Sequence, residues 1–248
     1  ALGTAYAATE TTSAVLMRTW EASDTGCIGL PLPGCEIKLV PDADLSGRYE
    51  MRVKGPQVSG RYAQPVQPGD VRDEEGFYCL GDSARFMDPE RPEAGLLFGG
   101  RLAEDFKLGN GTWVRTGAIR QNLLAACAPL LREAVVVGEG RAEVAALGWL
   151  DVAGCRALLG VSTDLAETAL VTHPLMRARL TEMLIAANAT TASSRRVGRL
   201  LLEAEPPSLD TYELTDKGSI NQRAVMQRRG AAVDALYAVP LAHEVLRT

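Results

Sequence analysis

The stretch GGRLAEDFKLGNG, residues 99–111, divides a chain of 248 residues into two parts with different patterns. Before it, short runs of apolar and charged residues alternate, which is typical of strands with one face in water. After it, helical and strand patterns follow one another along the chain. The sequence therefore predicts an α+β protein with two domains, a β-rich one over residues 1–100 and a small α+β one over residues 101–248.

The β-rich part contains one clear hairpin. Apolar and charged side chains alternate along residues 35–40 and again along residues 49–54. Such alternation indicates strands, and the Asp, Pro and Gly residues at 41–47 between them favour a turn. A further apolar strand is predicted at residues 96–98, with its end at Gly99.

The second part shows three strand patterns and three helical patterns. The strand-like runs cover residues 134–137, 144–150 and 197–202. Apolar residues recur at helical spacing over residues 119–127, over residues 176–187 and from Asn221 onward. Thr116 is the predicted N-cap of the first of these helices, because a threonine hydroxyl can accept a hydrogen bond from the first turn.

Composition places the chain among soluble globular proteins. It is 46% hydrophobic and 23% charged, with a net charge of -5. The sequence has neither a long apolar run nor a dense Lys/Arg stripe, so a membrane span and nucleic-acid binding are not expected. The five cysteines are scattered without a Cys-x-x-Cys pair. This favours a reducing compartment, the cytoplasm, over a disulfide framework or a zinc site.

The first candidate site is TAYAATETT at residues 4–12. The Thr9 hydroxyl could donate to a phosphate, and the Glu10 carboxylate could hold Mg²⁺, which prefers oxygen ligands. The same pair could instead begin a helix, with the threonine as its cap.

The second candidate site is GFYCLGD at residues 76–82. Asp82 follows a glycine, so its carboxylate can approach a ligand closely and accept hydrogen bonds from a ribose diol. The alternative is an ordinary β-turn that contains Gly-Asp.

Two further segments combine charge with glycine. Residues 99–111 have the backbone freedom and polar character of a hinge, although an ordinary linker would look similar. In LTDKGSINQR, residues 214–223, Lys217 beside Gly218 could swing onto a phosphate as a point charge. The alternative is a solvated loop that caps the last helix.

The order of these four motifs resembles that of the adenylate-forming superfamily. This superfamily includes acyl-CoA synthetases, peptide-synthetase adenylation domains and luciferases. Between the first two motifs, RVKGPQVSGRY at residues 52–62 is similar to a further superfamily segment. Within the superfamily, residues 100–114 and 215–225 are similar to feruloyl-CoA synthases, so the chain resembles the C-terminal portion of such an enzyme.

The resemblance implies a reaction in two steps. A carboxylic acid, here a hydroxycinnamate such as ferulate, is joined to AMP from ATP with release of pyrophosphate. The acyl group then passes to the thiol of coenzyme A. The residues that the resemblance assigns to the site are Tyr6, Thr9, Glu10, Asp82, Arg101, Gly109, Trp113 and Lys217.

The roles of these residues also follow from the resemblance. Thr9 would contact phosphate, Glu10 would hold Mg²⁺, and Lys217 would bridge the acid and the phosphate, which makes these three catalytic. Tyr6, Thr9, Asp82 and Arg101 would bind ATP or AMP, with Asp82 on the ribose. After rotation of the C-terminal domain, Gly109 and Trp113 would face the coenzyme A thiol.

The sequence departs from the superfamily pattern at three motifs. Ala7 stands where the first motif has glycine, and Ala103 stands where the hinge acid is usual. In the last motif Ser219 occupies the usual lysine position, and Lys217 lies two residues earlier. A flexible four-carbon side chain can absorb this shift, so Lys217 is the predicted catalytic lysine.

The superfamily's Ser/Thr/Gly-rich phosphate loop, which ends in Pro-Lys, does not occur in the sequence. The chain also begins at Ala1 without a leader-like segment. We therefore expect it to be part of a longer enzyme, to need an upstream segment as its partner, and to be inactive alone.

Two alternative functions stay open at this point. One is an adenylation domain that loads the thiol of a carrier protein. The other is a catalytically incomplete lid domain that acts as an interaction module. The resemblance of residues 215–225 to feruloyl-CoA synthases favours the coenzyme A ligase.

Overall fold

The computed structural model describes residues 3–21, 24, 26–41, 47–59, 71–160 and 165–248. The chain forms two compact units, Ala1–Ala103 and Glu104–Thr248. Most of the predicted turn at residues 41–47, and the last three residues of the 52–62 segment, lie outside the described residues.

The first unit is built on one antiparallel sheet of seven strands. The strands are β1 (Thr4–Ala7), β2 (Ala14–Arg18), β3 (Cys27–Pro31), β4 (Glu36–Pro41), β5 (Tyr49–Lys54), β6 (Tyr78–Phe86) and β7 (Leu96–Arg101). Their order in the sheet is β1-β2-β3-β7-β6-β5-β4.

The predicted hairpin is confirmed as β4 and β5. Ile37 pairs with Val53, and Leu39 pairs with Met51. Met51 and Val53 are fully buried, because every second residue of β5 points into the core. By contrast, the predicted end of the last strand at Gly99 is wrong, since β7 continues to Arg101.

The second unit contains a four-stranded sheet with helices on both faces. Its strands are β8 (Phe106–Lys107), β9 (Trp113–Val114), β10 (Leu131–Val137), β11 (Val144–Leu150), β12 (Val197–Leu202) and β13 (Val245–Arg247). Its helices are α1 (Thr116–Ala126), α2 (Val152–Leu159), α3 (Glu167–Thr172), α4 (Pro174–Ala189), α5 (Gln222–Arg228) and α6 (Gly230–Leu236). The main sheet has the order β10-β11-β12-β13, while β8 and β9 pair separately.

Alternate residues of this sheet enter two different cores. Val136, Ala146 and Leu200 pack in the core that contains residues of α1 and α4. Val135 and Leu147 pack in the core that contains residues of α5 and α6. All seven residues of β11 are buried, which explains why this strand reads as a continuous apolar run.

The strands predicted at residues 134–137, 144–150 and 197–202 are confirmed as parts of β10, β11 and β12. The helix predicted from Asn221 is confirmed as α5, with the Asn221 side chain as its N-cap. Thr116 is not an N-cap, because α1 begins at this residue. Instead, Asp105 Oδ1 accepts the Thr116 backbone N–H at 3.1 Å, a cap from eleven residues upstream that no local pattern could reveal.

The α+β fold class is thus confirmed. Within the part of the chain that the structure describes, no helix is long and apolar enough to cross a membrane.

Candidate functional site

Three of the predicted site residues meet in the first unit. The Tyr6 hydroxyl donates a hydrogen bond to Asp82 Oδ2. Arg101 Nε lies 3.9 Å from Asp82 Oδ1, and the two residues pair directly across β6 and β7. Since β1 and β6 are four positions apart in a sheet with about 4.8 Å between strands, the Tyr6 contact requires the sheet to curl.

The Asp82 carboxylate is only partly satisfied. Burial raises the pKa of Asp82, although the hydrogen bond from Tyr6 and the charge of Arg101 act in the opposite direction. Its Oδ1 is buried and has no hydrogen-bond donor among the residues described. A buried acceptor of this kind requires a hydrogen-bond donor that the described residues do not supply. The hydroxyls of a ribose fit that requirement, because each can donate to a carboxylate oxygen.

Tyr6 is held as a hydrogen-bond donor. Burial and the neighbouring Asp82 charge raise the pKa of the Tyr6 hydroxyl, so it stays protonated. The Glu10 charge adds, more weakly, to the raised pKa of both Tyr6 and Asp82. Glu10 therefore belongs to the same electrostatic neighbourhood as the buried carboxylate.

A β-bulge sets the register at this site. Ser83 pairs with Gly100, but Ala84 pairs with Phe98. Gly99 is therefore an extra residue in β7 without a partner in β6, which is the definition of a bulge. Bulges re-aim the side chains beyond them, and here the bulge sets the register of the strand end that carries the guanidinium.

Side chains fix the bulge on both sides. Arg48 Nη1 donates to the Gly99 carbonyl at 2.5 Å, and Ser83 Oγ donates to the Gly100 carbonyl at 2.9 Å. A Cβ on Gly99 would lie 2.6 Å from Ser83 Oγ and 3.1 Å from the Ser83 carbonyl oxygen. The glycine is needed for close packing, so Gly99 and Gly100 form part of the site's scaffold.

Thr9 and Glu10 lie in a short 3₁₀ turn, Thr9–Thr11, directly after β1. The capping hydroxyl of this turn belongs to Thr11, which accepts the Ala8 N–H at 2.9 Å. The Ser59 N–H donates to the Glu10 carbonyl at 2.6 Å. Thr9 is exposed, and its hydroxyl forms no hydrogen bond to another described residue. The alternative interpretation, in which Thr9 is a helix cap, is therefore wrong, because Ala8 is the N-cap residue of the turn and the hydroxyl involved is that of Thr11.

A metal ion bound by Glu10 would have few other protein ligands. No group of three or more His, Cys, Asp or Glu residues that could bind a metal occurs in the described ranges. Mg²⁺ is often held by one or two carboxylates together with substrate phosphates. Glu10 fits that kind of site.

Gly109 and Trp113 belong to the β8–β9 hairpin of the second unit. The Gly109 N–H donates to the Arg141 carbonyl at 2.7 Å, and a Cβ on Gly109 would lie 2.9 Å from the Gly140 carbonyl oxygen. The Trp113 ring lies 4.8 Å from Lys107 Nζ and 4.9 Å from the Arg115 guanidinium. This segment, predicted to be a hinge or a linker, is a packed hairpin from Phe106 onward.

Lys217 lies at the tip of a second tight hairpin. The Thr215 N–H donates to the Ser219 carbonyl at 2.8 Å, and the Gly218 N–H donates to the Thr215 carbonyl at 2.7 Å. Gly218 adopts a φ of 75°, which favours glycine. Lys217 is exposed and forms no ion pair with a described residue. The cap of α5 is Asn221, so the hairpin is not itself the cap.

No sequence pattern indicated the buried ion pair beside this hairpin. Glu213 and Arg229 are 1% and 7% exposed, and two guanidinium–carboxylate contacts join them. Glutamate and arginine side chains are usually exposed to solvent, so burial is not the expectation for either residue. Only the packing of α5 and α6 against the sheet reveals them.

Comparison with known proteins shows the family to which the chain belongs. Residues 106–240, more than half of the chain, match the family model described as AMP-binding enzyme C-terminal domain. Long-chain-fatty-acid–CoA ligase FadD15 of Mycobacterium bovis is 23% identical over 238 residues, which cover 94% of this chain and 37% of the relative. The chloroplastic long-chain-fatty-acid–[acyl-carrier-protein] ligase AEE15 of Arabidopsis thaliana is 24% identical over 245 residues, which cover 94% of this chain and 32% of the relative.

A solved structure shows the same fold. It is the A domain of the carboxylic acid reductase from Segniliparus rugosus, in complex with AMP and a co-purified carboxylic acid. The TM-score is 0.65 at 22% identity, and the match covers 86% of this chain and 33% of that one. The chain thus spans about a third of the length of the proteins that it matches. It belongs to the adenylate-forming superfamily of AMP-binding enzymes, and residues 106–240 are its C-terminal domain.

Proposed function

We propose that this chain works in an ATP-dependent, AMP-forming carboxylate–CoA ligase, and that its first unit holds the nucleotide. The observation that carries the proposal is the Asp82 carboxylate. Its Oδ2 accepts a hydrogen bond from Tyr6, and its Oδ1, 3.9 Å from Arg101 Nε, has no hydrogen-bond donor among the described residues. Asp82 accepts hydrogen bonds from the ribose hydroxyls, Tyr6 keeps the carboxylate oriented, and Arg101 supports its charge.

The first step joins the acid to AMP. A carboxylate oxygen attacks the α-phosphorus of ATP, and the bond between that phosphorus and the bridging oxygen of pyrophosphate breaks. Mg²⁺, when bound, neutralises charge on the phosphate oxygens. Thr9 donates to a phosphate, and Glu10 would hold the metal. Lys217 attracts the acid and the phosphate together, and its charge acts most strongly in the transition state.

The second step transfers the acyl group. The coenzyme A thiol loses its proton to solvent, and its sulfur attacks the acyl carbonyl carbon. The bond from that carbon to the phosphate oxygen of AMP then breaks, and AMP leaves with the bonding electrons. We propose that Lys217 leaves the site by rotation of the second unit, and that the hairpin with Gly109 and Trp113 takes its place near the thiol.

Hydroxycinnamates such as ferulate are the proposed acids. The support is the resemblance of residues 100–114 and 215–225 to feruloyl-CoA synthases. FadD15 and AEE15 bear long-chain fatty acids in their names, so a long-chain fatty acid is the competing acid. AEE15 also favours a second candidate function, in which the thiol belongs to an acyl-carrier protein.

The intact protein should be incubated with MgATP and either ferulate or palmitate, and with either coenzyme A or a phosphopantetheinylated carrier protein. We expect AMP and feruloyl-CoA, detected by chromatography and mass spectrometry. A palmitoyl product would overturn the choice of acid. Transfer to the carrier protein alone would favour the second candidate function.

The role of Lys217 can be tested in each half-reaction. Lys217→Ala should lower adenylation, measured by ATP–pyrophosphate exchange, by at least 100-fold. Thioester formation from preformed acyl-adenylate should be unchanged, because Lys217 is absent from that step. Ser219→Ala, on the same hairpin, is the matched control. If Lys217→Ala supports both half-reactions at the wild-type rate, Lys217 is not the catalytic lysine.

A further inference from the structure

A buried ion pair lies at the base of the Lys217 hairpin. Arg229 Nε contacts Glu213 Oε1 at 2.7 Å, and Arg229 Nη2 contacts Glu213 Oε2 at 3.1 Å. The third guanidinium nitrogen, Nη1, contacts Glu203 Oε2 at 2.7 Å. The Thr211 hydroxyl donates to Glu213 Oε2 at 3.1 Å. Both carboxylate oxygens of Glu213 and all three guanidinium nitrogens are therefore engaged.

The pair joins the hairpin to the rest of the second unit. The Glu213 carbonyl accepts the Asn221 N–H at 2.9 Å, directly below the Leu214–Ile220 bridge that closes the hairpin. Arg229 occupies the junction of α5 and α6. Its guanidinium also lies 5.2 Å from the Trp149 ring of β11. One side chain thus connects the hairpin base to two helices and the sheet.

Stability alone gives little reason for this arrangement. Replacing a buried ion pair with apolar residues of similar volume is often neutral or stabilising, because desolvation offsets the attraction between the charges. A bidentate guanidinium–carboxylate pair does, however, fix the relative orientation of the two segments that carry it. Fixed orientation matters most where a side chain must be delivered repeatedly to one position.

Lys217 is such a side chain. It is exposed at the hairpin tip, four residues beyond Glu213, and its long stem has many rotamers. The direction of the hairpin must therefore come from its base. We propose that Glu213 and Arg229 are positioning residues that aim the Lys217 hairpin for the adenylation step, an inference that rests on the proposed function.

Three variants of the intact protein test this. Glu213→Gln keeps the shape and removes the charge. The double variant Glu213→Met with Arg229→Met replaces the whole pair with apolar side chains of similar length. The matched control is Glu182→Gln, which removes the exposed partner of Arg179 on α4, outside the cluster around Glu213. The measurements are the thermal midpoint, the two half-reaction rates, and the rate of tryptic cleavage after Lys217 followed by mass spectrometry.

The positioning role predicts a specific pattern. Glu213→Gln should lower adenylation at least 10-fold, spare thioester formation from preformed adenylate, and speed cleavage after Lys217 several-fold. The double variant should regain the wild-type thermal midpoint while adenylation stays low and cleavage stays fast. Glu182→Gln should match the wild type in every measurement.

Two results would overturn the proposal. The first is a double variant that regains both the thermal midpoint and wild-type adenylation, since the pair would then only stabilise the fold. The second is unchanged cleavage after Lys217 in Glu213→Gln. If Glu213→Gln is cleaved faster after Lys217 but Lys217→Ala adenylates normally, the ion pair anchors the hairpin and the proposed role of Lys217 is wrong. Failure of the proposed function can therefore be distinguished from failure of this further inference.

Discussion

The Asp82 carboxylate is better suited to binding a ligand than to stabilising the fold. Burial raises its pKa, so the ionised form at neutral pH lowers stability. Its Oδ1 has no donor within the described part of the protein. A residue that costs stability and leaves an acceptor open is the expected signature of a binding site.

Asp82→Asn should therefore separate binding from stability. The amide oxygen can still accept from Tyr6, while the buried charge disappears, so the thermal midpoint should rise or stay constant. AMP affinity should fall about 10- to 100-fold, since a charge-assisted hydrogen bond contributes about 1.5–3 kcal/mol. Calorimetric titration with AMP measures the affinity. Asp88→Asn, in the exposed turn after β6, is the control, and wild-type AMP affinity in Asp82→Asn would contradict the ribose assignment.

The sequence predicted those site residues that lie in recognisable motifs. Asp82 and Arg101 were predicted as partners in nucleotide binding, and the structure places them opposite each other. Arg48, Glu213 and Arg229 were missed. The partners of these three residues lie far along the chain or around a helix junction, so no local sequence spacing indicates the contacts.

The bulge in β7 is the element on which the Asp82–Arg101 pairing depends. Gly99→Ala would bring a methyl group against Ser83 and the Arg48 side chain. Overpacking of this kind costs about 1–3 kcal/mol. We expect a lower thermal midpoint and weaker AMP binding, because the strand end beyond the bulge must shift.

Gly230→Ala is the matched control for this substitution. A Cβ on Gly230 meets nothing within 4 Å, and the residue begins α6. Circular dichroism melting and AMP titration of both variants would show the difference. Gly99→Ala with wild-type stability and AMP affinity would mean that the bulge does not set the geometry of the site.

Elements were predictable from the sequence where the pattern is long enough. The alternation along β4 and β5 and the apolar run of β11 each cover six or seven residues. β8, β9 and β13 have only two or three residues, too few for a period to be visible. The two glycines at 99 and 100 predicted a strand end, but they mark a bulge, since glycine serves both purposes.

The change of sequence pattern near residue 100 reflects two kinds of sheet. Apolar and polar residues alternate along the antiparallel strands of the first unit, because one face of that sheet is more exposed to water. In the second unit, by contrast, β11 is covered on both faces. The difference between the two sheets is therefore visible in the hydrophobic pattern of the sequence. That pattern does not show the curl of the first sheet, which brings Tyr6 to Asp82 across 76 positions of sequence.

The two units also contain buried carboxylates with opposite responses to acid. Burial alone would raise the pKa of Glu213, but hydrogen bonds from Arg229 and Thr211 outweigh it and hold the pKa below its usual range. Glu213 therefore adds stability above the ordinary carboxyl range near pH 4 and loses it as pH falls through its lowered pKa. Asp82, with a raised pKa, reduces stability above that pKa, and the penalty disappears as pH falls towards 4.

Thermal midpoints of Glu213→Gln and Asp82→Asn, measured relative to the wild type from pH 7 down to pH 3, should therefore differ in sign and in pH window. At pH 7 Glu213→Gln should be less stable than the wild type by about 1.5–3 kcal/mol, the worth of a charge-assisted hydrogen bond, and Asp82→Asn should be more stable. On acidification the gain of Asp82→Asn should fade first, because its window lies above the ordinary carboxyl pKa. The loss of Glu213→Gln should persist to lower pH, because its window lies below that pKa. If both differences were constant across the range, neither carboxylate would change its protonation on unfolding, and the electrostatic account of both sites would fail.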